Sequence, residues 1–246
     1  MQKPFSKLML LIANLLIPFF LAGVGIANPS VSKTHDNKTV AVANLVQQTG
    51  SEISQRRQRS SKLSQPQGIA VDNITGKLYW TDSGTHKIYS ANIDGTGQEI
   101  VVTWTPNPRR IAVHKGKIYW TDSGNHQIHR ANTDGSGREI LARGLCNPQG
   151  IAICSAAGNL YWTDTGTHQI YRANLNGSGR QILIRWSHHP RGIAIDSAGS
   201  KLYWIDSGNH QIRRSNLDGS KNQVVVKWAP NPQGIAVDDV GGKIYW

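Results

Sequence analysis

A four-residue phrase recurs along this chain at nearly constant spacing: Tyr79-Trp80-Thr81-Asp82, Tyr119-Trp120-Thr121-Asp122, Tyr161-Trp162-Thr163-Asp164 and Tyr203-Trp204-Ile205-Asp206. A fifth copy opens at Tyr245-Trp246. The tyrosines stand 40, 42, 42 and 42 residues apart. A fixed period of that length marks a repeat architecture, in which each unit hides its apolar faces against its neighbours. The copies follow one another without a break, which predicts one repetitive domain over residues 65–246.

Each copy reads as four strands. In the first, Gly68–Asp72, Leu78–Asp82, His86–Asn92 and Glu99–Thr103 are apolar or alternating runs closed by turn-forming residues. Asp94-Gly95, with Asp134-Gly135, Asn176-Gly177 and Asp218-Gly219 in the same place, suits hairpin turns that need positive backbone angles. Neighbouring strands are then antiparallel, and four of them per period of this length is the pattern of a propeller blade. Alternation puts Leu78 and Trp80 on one face and Tyr79 on the other. A sheet with large groups on both faces must be covered on both, as a blade wedged between two blades is. Gly68 and Ala70, with Gly150, Ala152, Gly192, Ala194, Gly234 and Ala236, make the first strand the small one, as crowding at a central axis requires.

The period, the Tyr-Trp-Thr-Asp phrase, the preceding Gly-Ile-Ala-Val-Asp and the following Ala-Asn-Leu-Asp-Gly type segment together resemble the low-density lipoprotein receptor class B, or YWTD, repeat. The resemblance implies an all-β, six-bladed propeller of four-stranded antiparallel blades, used outside the cell as a protein-binding surface. Four complete repeats and the first two strands of a fifth are present, and the cysteine-rich modules that accompany the family are not. An incomplete ring is therefore expected, in a chain cut short of its native length. Self-association through the open edges is the alternative.

Ahead of the repeats, Lys3 and Lys7 precede an apolar run from Leu8 to Ala22, and Gly25-Ile26-Ala27 supplies small residues at cleavage-site spacing. Residues 1–27 read as a signal peptide and the chain as exported, secreted or periplasmic. The rival reading is an uncleaved membrane anchor; no later segment is long and apolar enough to span. Residues 28–64 are polar and read as a mostly disordered linker, in which Val40–Val46 could add a strand. Cys146 and Cys154 are expected as two separate buried thiols, because the extended segment between them holds them apart.

Chemistry is harder to find. The aspartates of the phrase, Asp82, Asp122, Asp164 and Asp206, recur in every blade, whereas catalysis needs one differentiated acid and base. They are expected to accept backbone hydrogen bonds at strand ends. His86, His126, His168 and His210 recur likewise and would be spread around a ring, which argues against metal ligation. A pH response is open to them, as is a plain role opening a strand. No cofactor motif is present, no glycine loop that cradles phosphate and no nucleophile elbow.

In a propeller the loops between blades share a face with the loops joining the second and third strands. That face is expected to gather Trp104, Trp186 and Trp228, Arg109, Arg110 and Arg191, and the four ring histidines, as a candidate binding face. The other reading packs those tryptophans between blades. The axial strands offer mainly Gly, Ile and Ala, with His114 the odd polar residue. The net charge of +12 falls to +10 once Lys3 and Lys7 leave, and Arg138, Arg180 and Lys221 follow the hairpin turns. A basic rim of that kind attracts anionic polymers, so the partner is expected to be a protein or an anionic polysaccharide. Nucleic acid is not expected, since no nucleic-acid motif accompanies the charge. The reading is a non-catalytic interaction module, with a channel hydrolase, lactonase or lyase, or a non-functional fragment, as alternatives.

Overall fold

The computed structural model describes residues 64–198, 200–238 and 241–246. The expected signal segment and all of the linker before Ser64 lie outside the described residues. The first antiparallel sheet is built in chain order from β1 (Pro66–Asp72), β2 (Lys77–Asp82), β3 (Lys87–Asn92) and β4 (Glu99–Val102). The second holds β5 (Pro108–His114), β6 (Lys117–Asp122), β7 (Gln127–Asn132) and β8 (Glu139–Ala142). The third holds β9 (Pro148–Cys154), β10 (Asn159–Asp164), β11 (Gln169–Asn174) and β12 (Gln181–Ile184). The fourth holds β13 (Pro190–Asp196), β14 (Lys201–Asp206), β15 (Gln211–Asn216) and β16 (Gln223–Val226), with a 3-10 turn at Ser207–Asn209. β17 (Ala236–Asp238) and β18 (Lys243–Tyr245) form a two-stranded fifth sheet.

First strands of successive sheets adjoin, β1 on β5, β5 on β9, β9 on β13 and β13 on β17, so they surround the axis while β4, β8, β12 and β16 lie outermost. This is the expected propeller, with four blades, part of a fifth and an open ring. Crowding at the axis is real: a Cβ on Gly68 would sit 2.7 Å from the Arg109 carbonyl oxygen of the next blade.

The two-faced alternation of the repeat builds the core. Tyr79 of the first blade packs with Ile118 and Trp120 of the second, Tyr119 with Leu160 and Trp162 of the third, and Tyr161 with Leu202 and Trp204 of the fourth. Each fully buried large apolar side chain contributes about 1.5–3 kcal/mol, so the recurring phrase is chiefly the glue between blades.

Boundaries differ from the sequence reading in two instructive places. The third strand begins at Lys87, because His86 adopts φ 58° in the left-handed region and its carbonyl accepts the Thr105 amide at 3.0 Å. The link from β3 to β4 is a six-residue loop in which Gly95 (φ 83°) and Gly97 (φ 63°) reverse the chain while Asp94 accepts both the amide and the hydroxyl of Thr96. Cys154 is buried as expected, but Cys146 is exposed and both thiols are free. The loop entering β9 is held by its backbone, with the Cys146 amide donating to Asp164, which leaves the sulfur turned outward.

Candidate interaction face

The strand-end carboxylates position the face. Asp164 accepts the amides of Cys146 (3.0 Å), Asn147 (2.9 Å), Gly166 (3.0 Å) and Thr167 (3.2 Å), tying the incoming loop to the turn after β10. Asp82 does the same with Ser64, Gln65, Gly84 and Thr85, and Asp122 with Asn107, Gly124, Asn125 and the Thr105 hydroxyl. Asp206 departs from the pattern. Its Oδ2 accepts from the Asn209 side chain at 3.1 Å, while its buried Oδ1 has no partner among the described residues. The cause is local: in the 3-10 turn the Gly208 amide donates to the His188 carbonyl (2.8 Å) and not to the carboxylate.

This framework brings the predicted histidines and tryptophans together. His86 lies against Trp104 with ring centroids 5.8 Å apart, and His210 against Trp228 at 5.1 Å. In the third blade His168 faces His189 at 4.9 Å and His188 at 6.4 Å instead of Trp186. Among the described residues His126 has no aromatic mate, because Gly144 stands where the other blades carry tryptophan. His86 and His126 turn Nδ1 toward the carbonyls of Pro106 (2.6 Å) and Cys146 (2.9 Å). The tryptophans do not pack between blades: Trp104, Trp186 and Trp228 are 64%, 83% and 69% exposed.

Arg109, Arg110 and Arg191 gather at the axial mouth. They line a cavity of about 130 Å³ with Gln67, Gln149, Gly192 and Gln233. The expectation that the axial strands carry little but Gly, Ile and Ala is therefore corrected. The residue after the proline that leads into the first strand of each copy, Gln67, Arg109, Gln149, Arg191 and Gln233, lines this axial cavity with a long polar group. That five-fold alternation of Gln and Arg was visible in the sequence and was the signal to read. His114, at the far end of β5, meets the Ser155 hydroxyl at 3.1 Å, and burial and then Lys115 pull its pKa down.

Two cations of the expected basic rim are engaged within the fold, while Lys221 is exposed. The Arg138 guanidinium lies 5.3 Å from the Trp120 ring centroid and donates to the Trp104 carbonyl. Arg180 lies over Trp162 and Tyr171 and donates to the Arg143 carbonyl. Such cation–π stacking with a carbonyl bond joins neighbouring blades at their outer strands.

The low-density lipoprotein receptor repeat class B model matches residues 76–104, 116–153, 158–197 and 200–238. Low-density lipoprotein receptor-related protein 5 of Mus musculus is 33% identical over 90 residues, which is 36% of this chain and 5% of that protein. Nidogen-2 of Mus musculus is 40% identical over 42 residues, 17% of this chain and 3% of that one. The chain thus spans a small part of these relatives. Among solved structures, the nidogen/laminin complex matches with TM-score 0.69 and 30% identity, over 73% of this chain and 70% of that one. A gluconolactonase from Xanthomonas campestris matches with TM-score 0.63 and 21% identity, over 73% and 68%, a likeness of fold alone.

Proposed function

The chain belongs to the low-density lipoprotein receptor class B repeat family, and from that premise we propose that it is an exported, non-catalytic module that binds a protein partner on its loop face. The observation that carries this reading is the trio Trp104, Trp186 and Trp228, which occupy one repeat position and are each more than half exposed. Large aromatic side chains left in water on a rigid scaffold are the residue type that anchors protein interfaces. A nidogen propeller of similar fold sits in a complex with laminin, which supports a protein as the class of partner. An anionic polysaccharide is less favoured, since Arg138 and Arg180 are engaged with neighbouring blades.

The test compares immobilised full chain with a triple Trp104→Ala, Trp186→Ala, Trp228→Ala variant against the extracellular fraction of the native source. A protein retained by the former, lost by the latter and bound again after purification supports the proposal. Equal retention by both, retention of acidic polysaccharide alone, or turnover of a lactone by the purified chain overturns it.

A further inference from the structure

Arg110 breaks the repeat at the axis. Gly68, Gly150, Gly192 and Gly234 occupy the same position in the other copies, and the second blade alone places a long cation there. Its guanidinium spans the axis, donating to the Gln67 carbonyl of the first blade and, at 3.0 Å, to the Gln233 carbonyl of the fifth. Arg191 reaches the same blade, donating to Gln233 Oε1 at 2.6 Å. Arg109 donates from Nε to the Ser123 hydroxyl at 3.0 Å.

Three guanidiniums thus line one cavity, and none has a carboxylate at ion-pair distance among the described residues. Burial depresses the pKa of Arg110, and the charges of Arg109 and Arg191 depress it further, with no acid opposing them. Each guanidinium carries five N–H donors, and those not taken by the carbonyls and side chains around them are open to solvent or to a ligand, Arg191 being exposed. Gathering like charges in a partly desolvated cavity is unfavourable unless an anion shares the space. The volume of about 130 Å³ has room for a carboxylate, sulfate or phosphate group.

We infer that the axial mouth is an oxyanion subsite, in which one carboxylate, sulfate or phosphate group is held between Arg109, Arg110 and Arg191 and links the second and fourth blades. The oxyanion comes either free from solution or from the carboxylate of a bound partner; the chemistry of capture is the same. The subsite does not depend on the tryptophan rim.

Thermal unfolding of the full chain in sodium sulfate, phosphate or acetate, against sodium chloride at matched ionic strength, tests it. A ligand that binds only the folded state raises Tm in a saturable way. The expected result is a saturable rise whose half-effect concentration increases about ten- to hundredfold in Arg191→Gln, the loss of a charged hydrogen-bond donor. Arg110→Gln should weaken it as much, but that variant also cuts two ties between blades, so Arg191→Gln is the deciding one. Arg185→Gln, exposed beyond the outermost strand β12, should leave the titration unchanged. A rise with sulfate and phosphate alone identifies a free tetrahedral anion, and one that includes acetate identifies a site open to a partner's carboxylate. A rise that never saturates, or that Arg185→Gln weakens as much as Arg191→Gln, is general salt stabilisation and overturns the inference.

Discussion

The Thr163 hydroxyl donates a 2.6 Å hydrogen bond to the Arg191 carbonyl in the next blade while accepting the Gly150 amide of its own at 2.8 Å. Thr81 and Arg109, and Thr121 and Gln149, repeat the bridge at 2.6 and 2.7 Å. In the fourth blade Ile205 replaces the threonine, and the carbonyl left over, that of Gln233, takes its hydrogen bond from Arg110. A substitution in one repeat is thus matched by another two blades away.

Thr163→Val keeps the shape of the side chain and removes the bridge. It leaves a buried amide and a carbonyl short of a partner, and should lower stability by about 2 kcal/mol. Ile205→Val, which only trims a methyl group, should cost about 1 kcal/mol. Urea unfolding of both variants decides it; a Thr163→Val loss no larger than that of Ile205→Val would mean the bridge adds nothing.

The aspartates offer a sharper contrast within one repeat position. Asp164 accepts four backbone amides, so Asp164→Ala strands several buried donors and should cost about 3 kcal/mol or more. Asp206 is as deeply buried yet, among the described residues, accepts only from Asn209, and its replacement by alanine also removes an oxygen without a partner there. Its loss should be smaller by about 2 kcal/mol on the same scale. Equal losses in chemical denaturation would show that the turn at Ser207–Asn209 relaxes back to the geometry of its siblings.

What could be read from the sequence follows from what repeats. The alternation of Leu78, Tyr79 and Trp80 and their counterparts gave both covered faces, the Asp94-Gly95 turn and its siblings gave the antiparallel strands, and Gly68 and Ala70 gave the inner position of the first strand. Features that depend on a break in the pattern were harder to see. His86 looks like the start of a strand because its left-handed φ is set by the bond from Thr105 across the turn. Arg110 looks like one more basic residue until it is set beside the glycines at its position in the other blades and seen to line a cavity with Arg109 and Arg191. The exposure of Trp104, Trp186 and Trp228 could not be inferred either, since a recurring tryptophan serves equally well as packing.

The two cysteines separate by reactivity. Cys146 is exposed and Cys154 buried, both as free thiols. Native protein should therefore label once with a thiol reagent at Cys146, with the second equivalent reacting only on unfolding. Mass spectrometry of the labelled peptides reads this directly, and rapid native labelling at Cys154 would contradict the packing of β9 against the fourth blade.

His129 provides the pH dependence. It stands on β7 where β3 and β11 carry Tyr89 and Tyr171, and stacks on Trp120 with centroids 5.0 Å apart, as those tyrosines stack on Trp80 and Trp162. Both ring nitrogens are buried without a partner among the described residues. Burial first, then the charge of Arg138, pushes its pKa down to about 4, with Asp122 opposing and Arg143 adding. The unfolded chain takes up this proton near pH 6.5, so between there and about pH 4 it binds a proton that the folded chain refuses. The stability due to neutral His129 is complete above pH 6.5 and is lost as pH falls through that window, by about 2 to 3 kcal/mol. His129→Tyr restores the stacking partner of the sibling blades and removes the titration, and Gln127 stands where Gln169 accepts the Tyr171 hydroxyl. The stability difference between variant and parent should widen steadily from pH 6.5 to pH 4.5, whatever the other histidines contribute to both. Parallel pH–stability curves would place the acid sensitivity elsewhere.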